Sequence, residues 1–260
     1  LNNADMKHVT ESVITLQDVF GMGYEQSLQR ATNLMDGLGI SGSEAFDLVT
    51  KIAQNDLNRF DELENNLIQN KSLWEATGFS SGEALALMSN GLDAGAENLG
   101  EVNHFVEEFM NSLSSGQIGE SIGSFSKETQ EMFVKWQDGK ASASDVFSSI
   151  IGDLDNTTDK QEALTLASKV WAVDSKSDAL KVLTSLNDLG SGYETVKGAM
   201  DSLQETKQSD LKSVVSGFGN ALQEEFVAPI ADVALPVVTG FFEMATDAVK
   251  GIGEALTPQK

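Results

Sequence analysis

The sequence predicts an all-α protein, an array of antiparallel helical hairpins that ends in a long C-terminal helix. Apolar residues recur at steps of three and four along most of the chain, which is the spacing of one helix face. No stretch alternates apolar and polar residues with enrichment in Val, Ile and Thr, so we expect no substantial sheet. Only 3 of the 260 residues are proline, so long stretches can remain helical. Roughly ten to twelve helices of about 8 to 22 residues would account for the pattern.

Two helices are predicted at the start of the sequence. The first covers residues 4–20, where apolar side chains form one stripe that Gly21 breaks. The second covers residues 24–38, and Gly37 and Gly39 mark its end. Glycine is favoured just after a helix because it adopts left-handed backbone angles without steric cost.

A sequence repeat with an offset of 39 residues follows these helices. Residues 78–109 contain two short amphipathic segments separated by small residues, and a weaker copy begins at Gly39. Such a repeat indicates one supersecondary unit used twice, because each copy buries an apolar face that it could not bury alone. The matched positions are Gly39, Ser41, Glu44, Ala45, Leu48, Phe60, Glu62, Leu63 and Leu67 in the first copy and Gly78, Ser80, Glu83, Ala84, Leu87, Leu99, Glu101, Val102 and Val106 in the second.

Each copy begins with a pattern that is typical of a capped helix. Ser41 and Glu44, like Ser80 and Glu83, have the spacing of a capping box. In that motif the serine oxygen accepts from the backbone N–H three residues later, and the glutamate reaches back to the N–H of the serine. Asn98 provides a similar start for the second helix of the later copy.

The sequence divides into three segments. Residues 113–125 are rich in Ser and Gly and weak in apolar periodicity, so we expect a loop or a short irregular helix and a boundary there. We therefore predict repeat-containing hairpins over 1–112, a second helical subdomain over 113–206, and long amphipathic and apolar helices over 207–260.

Start signals predict the helices of the second subdomain. A short helix is expected over residues 125–136, and four further helices are expected at polar start motifs. These motifs are Ser142–Asp145, leading to a helix that ends at Leu154; Thr158–Gln161; Ser175–Asp178, leading to a helix that carries Leu180, Leu183, Leu186 and Leu189; and Ser191–Glu194, leading to a helix through Leu203.

The composition excludes several classes of protein. The net charge of −23 would repel the phosphates of nucleic acid, so we expect no specific binding of DNA or RNA. There is no cysteine, which rules out disulfides and thiolate metal sites. Because the sequence starts at Leu1 rather than Met, we expect a fragment or a processed product. No basic segment precedes an apolar core at the start, so no signal peptide is predicted.

Two motifs superficially suggest an enzyme. Residues 78–82 match G-x-S-x-G, but a hydrolase nucleophile elbow at Ser80 would need a strand before it and a His and Asp after it. The segment before Gly78 is predicted to be helical, and His104 is the only later histidine. Residues 37–42 match G-x-G-x-x-G without the preceding strand of a dinucleotide site. We expect helix ends at both places, and we predict no catalytic residue and no cofactor-binding residue.

No metal site is predicted either. His8 and His104 are the only histidines, whereas zinc sites need three or four ligands. Residues 153–159 come nearest to a calcium loop, but they lack the glycine at position six and the glutamate at position twelve. We expect a structural loop there, and we interpret pairs such as Glu107 and Glu108 as solvated helix faces.

The C-terminal segment contains the most apolar residues. An unbroken stripe runs from Leu211 to Ile230, and residues 226–242 carry a single charge, Asp232. At 17 residues with two prolines, the run Phe226–Phe242 is shorter than the ~20 residues that a membrane span needs. Packing against the chain's own core, against another copy or a partner helix, and contact with a host membrane remain three alternatives.

The repeat also carries a resemblance to a known family. The serine start, the helix that follows it and the joint at residues 90–96 resemble the central domain of phage tail tape measure proteins. Residues 135–142 with the helix after them, and Phe226–Ile230 before a long apolar segment, extend the resemblance over residues 39–240. The first copy departs from it, because Asn55 and Asp56 replace the Ala-Gly of the joint.

The resemblance implies a structural role rather than catalysis. A tape measure protein of a long-tailed phage or prophage sets tail length by its own length, templates polymerisation of the tail tube, and leaves through the tube during DNA ejection. Its implied partners are the tail tube protein, tail assembly chaperones and distal tail proteins. Its implied locations are the lumen of the tail tube in the virion and the host cytoplasm during assembly.

The main alternative is a non-catalytic helical interaction module, of a secreted or effector type, that is unrelated to phage tails. It predicts a compact monomer or dimer. An enzyme is the least favoured alternative, since no group of nucleophile, base and oxyanion donors can be assembled from the sequence.

Overall fold

The computed structural model describes residues 3–173, 179–187 and 196–206, and over these ranges it contains thirteen α-helices and no strand. The all-α class is therefore confirmed, whereas the antiparallel hairpin arrangement remains a prediction. The helices are α1 (Asn3–Phe20), α2 (Tyr24–Leu38), α3 (Gly42–Asp56), α4 (Phe60–Gln69), α5 (Lys71–Thr77), α6 (Ser81–Ala94), α7 (Leu99–Ser114), α8 (Gln117–Ser121), α9 (Lys127–Gln137), α10 (Ala143–Asn156), α11 (Lys160–Ala167), α12 (Ala179–Ser185) and α13 (Ala199–Thr206), with 3₁₀ turns at Leu57–Arg59 and Ile122–Ser124.

The described residues form two compact units. The first unit holds residues 3–64 and 196–206, and the second holds residues 65–173 and 179–187. The three-part domain division over 1–112, 113–206 and 207–260 places its boundaries elsewhere and remains a prediction.

The first unit has a core formed mainly by α1, α2 and α3. Gly39 ends α2 with a positive φ of 74°, and its N–H donates to the carbonyl of Met35 at 2.8 Å. Side chains from successive helices fill the interior, and all of the following are less than 2% exposed: Leu16, Leu34, Phe46, Ile52 and Phe60.

The second unit is built around an aromatic cluster. The ring of Phe147 lies edge-on to the rings of Phe109, Phe79 and Trp171, with centroid distances of 5.1, 5.5 and 6.1 Å. The indole N–H of Trp171 donates to the carbonyl of Phe105 at 2.8 Å. Edge-to-face pairs of this kind stabilise a core beyond the area that they bury.

Three sequence-based boundaries need correction. The sequence also allows the second helix of the first repeat copy to continue through Trp74 to Gly78, but α4 ends at Gln69 and α5 begins at Lys71. The cap of α11 is Asp159 rather than Thr158, since the Asp159 carboxylate accepts from the N–H groups of Gln161 and Glu162. A single helix through Leu203 is also wrong: Gly198 has a φ of 74° and α13 begins at Ala199.

Other predictions are confirmed or lie outside the described residues. Residues 113–125 contain the end of α7, the short α8 and a 3₁₀ turn, as expected for an irregular segment. Helix α10 begins at its predicted Ser142 cap. The long C-terminal helix, the stripe from Leu211 to Ile230 and the run Phe226–Phe242 all lie outside the described residues.

Helices α6 and α7 pack closely against each other in the second unit, and a substitution at their contact tests this packing. A Cβ added at Gly91 would lie 2.5 Å from Cγ2 of Val102, and the branched valine side chain has little rotamer freedom to move away. We expect Gly91→Ala to lower the free energy of unfolding of the second unit by about 1–2 kcal/mol, because overpacking outweighs the gain in helix propensity. Urea unfolding measures this change.

Gly123→Ala is the matched control, because nothing lies within 4 Å of the added Cβ. Equal stabilities for the two variants would contradict the close approach of α6 and α7.

Candidate functional site

The 39-residue repeat is the candidate functional element, and both copies are present in the structure. The first copy is α3 followed by α4, and the second is α6 followed by α7. Gly39 and Gly78 both have left-handed φ angles, of 74° and 85°. The matched apolar positions are buried in both copies: Ala45, Leu48, Phe60, Leu63 and Leu67 in the first and Ala84, Leu87, Leu99, Val102 and Val106 in the second.

Both predicted capping boxes are confirmed. The Ser41 Oγ accepts from the N–H of Glu44 at 3.2 Å, and the Glu44 carboxylate accepts from the N–H of Ser41 at 3.3 Å. In the second copy the same bonds between Ser80 and Glu83 measure 3.2 and 2.8 Å. Each pair satisfies two of the four N–H groups that a helix start leaves without an intrahelical partner.

The joints of the two copies differ as their sequences do. In the second copy Gly95 has a φ of 108° and donates to the end of α6, after which the Asn98 side chain accepts from Glu101 N–H. Glu101 itself reaches back to the N–H of Glu97 at 2.8 Å. The first copy has no glycine at this place, and a 3₁₀ turn at Leu57–Arg59 joins the two helices instead. The second joint therefore turns through a left-handed residue, whereas the first continues from one helical segment into the next.

Ser80 lies at the start of a helix, preceded by another helix. Its hydroxyl donates to the Glu83 carboxylate at 2.7 Å, and α5 leads into Gly78. A nucleophile elbow needs a strand before the serine and a histidine to take its proton. Ser80 therefore caps the start of α6, and Gly78 forms the left-handed turn that ends α5.

The carboxylates of Asp153, Asp155 and Asp159 accept hydrogen bonds from other residues of the chain. Asp153 accepts from the N–H of Ser126 at 2.8 Å, and Asp155 accepts from the side-chain amide of Asn187 at 3.1 Å. Asp153 and Asp155 belong to α10, and Asp159 caps α11. The expected structural loop is thus a helix end followed by a helix start.

The two histidines lie in different units. The ring of His8 lies edge-on to Phe46 at 6.4 Å, and Nε2 of His104 lies 3.5 Å from a carboxylate oxygen of Glu108. Across the part of the chain that the structure describes, no group of three or more His, Asp or Glu side chains could hold a metal ion.

Two buried carboxylates in the first unit were missed by the sequence analysis. Glu64, 5% exposed, binds the guanidinium of Arg30 at 2.9 Å, and the same guanidinium lies 2.7 Å from Asp61 and 3.9 Å above the ring of Phe60. Burial raises the pKa of Glu64 above its ordinary value of 4.5, although Arg30 acts in the opposite direction. The available signal was that Arg30 is one of only two arginines in the sequence.

The second buried carboxylate is Asp47 in α3. It is 7% exposed and accepts from the N–H of Gly198 at 2.9 Å and from the N–H of Met200 at 3.0 Å. Burial raises the pKa of the Asp47 carboxyl, while the two N–H donors act to lower it.

Residues 1–171 match the family described as phage-related minor tail protein. The chain belongs to this family. The match includes both repeat copies and extends to Trp171 in the aromatic cluster of the second unit. No curated protein and no solved structure matches the chain.

Family membership confirms the phage tail part of the resemblance. The chain is a structural tail protein, a component of the virion, and other tail proteins are its partners. None of the helices in the described ranges has the length and apolar character needed to cross a membrane. The absence of catalytic, cofactor-binding and metal-binding residues stays a prediction.

The role of Ser80 gives a first prediction for the site. We expect Ser80→Ala to lower the free energy of unfolding by about 1 kcal/mol, because the first turn of α6 loses a hydrogen-bond acceptor. Chemical denaturation measures this loss, with Ser81→Ala as the matched control because Ser81 is the next residue and is not the cap.

A fluorophosphonate probe provides the complementary measurement. We expect no labelling of Ser80, because no strand precedes it and its hydroxyl is bonded to a carboxylate. Labelling at this serine would contradict the capping role.

Glu64 gives a prediction of pH dependence. Because its pKa is raised in the folded state, the folded protein binds this proton more tightly than the unfolded chain does. As the pH falls from neutral towards 4.5, the wild type should therefore gain stability relative to Glu64→Gln, and the difference should level off below that value. Thermal unfolding at a series of pH values measures this difference.

Glu62→Gln is the control, since Glu62 is exposed on the same helix. If both variants differed from the wild type by the same pH profile, the burial of Glu64 would not be the cause.

Proposed function

We propose that this chain is a section of a tape measure protein of a long-tailed phage or prophage. Such a section contributes to tail length through its own length, serves as a template on which tail tube subunits polymerise, and leaves through the tube during DNA ejection. Membership in the minor tail protein family supports a role in the tail, and the arguments below support this particular role.

The observation that carries the proposal is that many helices begin at a side chain of their own first turn, which caps them without help from distant residues. Six of the described helices begin at a side chain that accepts from an N–H group two or three residues later, namely those capped by Ser41, Ser80, Asn98, Ser126, Ser142 and Asp159. A local cap acts whether helices are packed together or laid end to end. A helix rises by ~1.5 Å per residue, so a chain of such helices has a length set by its number of residues.

The charge of the chain supports a position in the tube lumen. DNA passes through the tube, and a net charge of −23 gives the protein little attraction for phosphate groups. An acidic chain in the lumen would therefore leave ahead of the DNA without binding to it.

The proposed partners follow from the proposed role. They are the tail tube protein around the chain, the assembly chaperones that hold it before the tube forms, and the distal tail proteins at its end. The alternative of an interaction module unrelated to phage tails is disfavoured by the family match.

Removing or duplicating one repeat tests whether the length of the chain sets the length of the tail. Deleting residues 41–79 joins Ile40 to Ser80, so that Ser80 takes the place of Ser41 two residues after a glycine. In the phage or prophage that encodes the chain, we expect this deletion to shorten the tail by about 58 Å, the helical rise of the removed residues. A duplication of the same residues should lengthen the tail by a similar amount. Electron microscopy of intact virions measures both lengths.

The substitution Ser41→Ala is the control, because it weakens a helix start without removing residues. Tails of normal length in both the deletion and the duplication would contradict the proposal.

A further inference from the structure

Helix α13 does not begin at a local side-chain cap of the kind seen in α3, α6, α7, α9, α10 and α11. The residue before it is Gly198, which has no side chain to act as a cap. The acceptors are instead the two carboxylate oxygens of Asp47, which lies 151 residues earlier in the chain than Gly198. One oxygen accepts from Gly198 N–H and the other from Met200 N–H. The cap of α13 is therefore a tertiary contact.

Asp47 has no counterpart in the second copy of the repeat. The matched residue, 39 positions later, is Ala86, which is also buried. A buried carboxylate is unfavourable unless hydrogen bonds compensate for its lost hydration. The described partners of Asp47 are the two N–H groups at the start of α13. The repeat does not require a carboxylate at this position, and the hydrogen bonds that compensate for burying it come from the start of α13.

Within the described residues, α13 packs on α3 and on α1. It has 8 residues, too few for an isolated helix to be stable in water. Ala199 and Met200 are its buried side chains, 5% and 1% exposed. Gln204 adds only a long 3.5 Å contact to Ser12 of α1. The carboxylate of Asp47 is therefore the polar anchor of this helix, and Met200 is its most deeply buried side chain.

We propose that Asp47 is a latch that holds residues 196–206 on the N-terminal helices, so that this segment detaches in a step of its own while the rest of the first unit stays folded. The latch works by accepting from two N–H groups at the start of α13, of which that of Met200 is buried and that of Gly198 is partly buried. The inference stands whether or not the chain acts as a tape measure.

Hydrogen exchange of the complete 260-residue chain, followed by mass spectrometry, tests the latch. We expect Asp47→Ala to reduce the protection of peptides covering residues 196–206 at least tenfold, while peptides from α2 and from α6–α7 keep theirs. Asp47→Asn keeps the size of the side chain but has one acceptor oxygen instead of two, so a smaller reduction is expected. Met200→Ala should release the same segment by removing its apolar anchor.

Asp153→Ala is the matched control, because Asp153 also accepts from a distant backbone N–H, that of Ser126 in the second unit. It should lower protection at the start of α9 and leave residues 196–206 unchanged. Unchanged protection of 196–206 in Asp47→Ala would overturn the proposal. An equal loss over 196–206 and α1–α3 would also overturn it, because Asp47 would then support the whole unit.

Discussion

The fold depends on satisfying the free N–H groups at the start of each helix. The described α-helices have between 5 and 18 residues, and a short helix leaves a large share of its N–H groups without intrahelical partners. Hydroxyl, amide and carboxylate groups close to each start supply the missing acceptors in α3, α6, α7, α9, α10 and α11. These caps fix where the helices begin, and the apolar faces of the helices then meet in the two buried cores.

This dependence on local groups explains how much of the fold could be predicted. The capping boxes at Ser41 and Ser80 were predictable, because every group involved lies within three residues. The cap of α11 was misplaced by one residue, since Thr158 and Asp159 are both common caps. The break between α4 and α5 at Asn70 could not be predicted, because no glycine or proline lies there.

Contacts between distant residues were beyond the sequence analysis. Arg30 and Glu64 are 34 residues apart, and Asp47 and Gly198 are 151 apart. No local pattern in the sequence distinguishes Asp47 and Glu64, which are buried, from the acidic residues of the described ranges that face water. The repeat and the resemblance to phage tail proteins could be recognised from the sequence because both depend on the spacing of residues. The buried polar contacts could not, because they depend on which helices pack together.

The aromatic cluster has a practical consequence for spectroscopy. All 3 tryptophans of the chain, Trp74, Trp136 and Trp171, belong to the second unit. Trp171 is 1% exposed and Trp74 is 3% exposed, so their fluorescence emission will shift to the red when water reaches this core. The first unit contains no indole. Intrinsic fluorescence thus follows one half of the molecule selectively, and circular dichroism at 222 nm, a wavelength characteristic of helical amides, follows both.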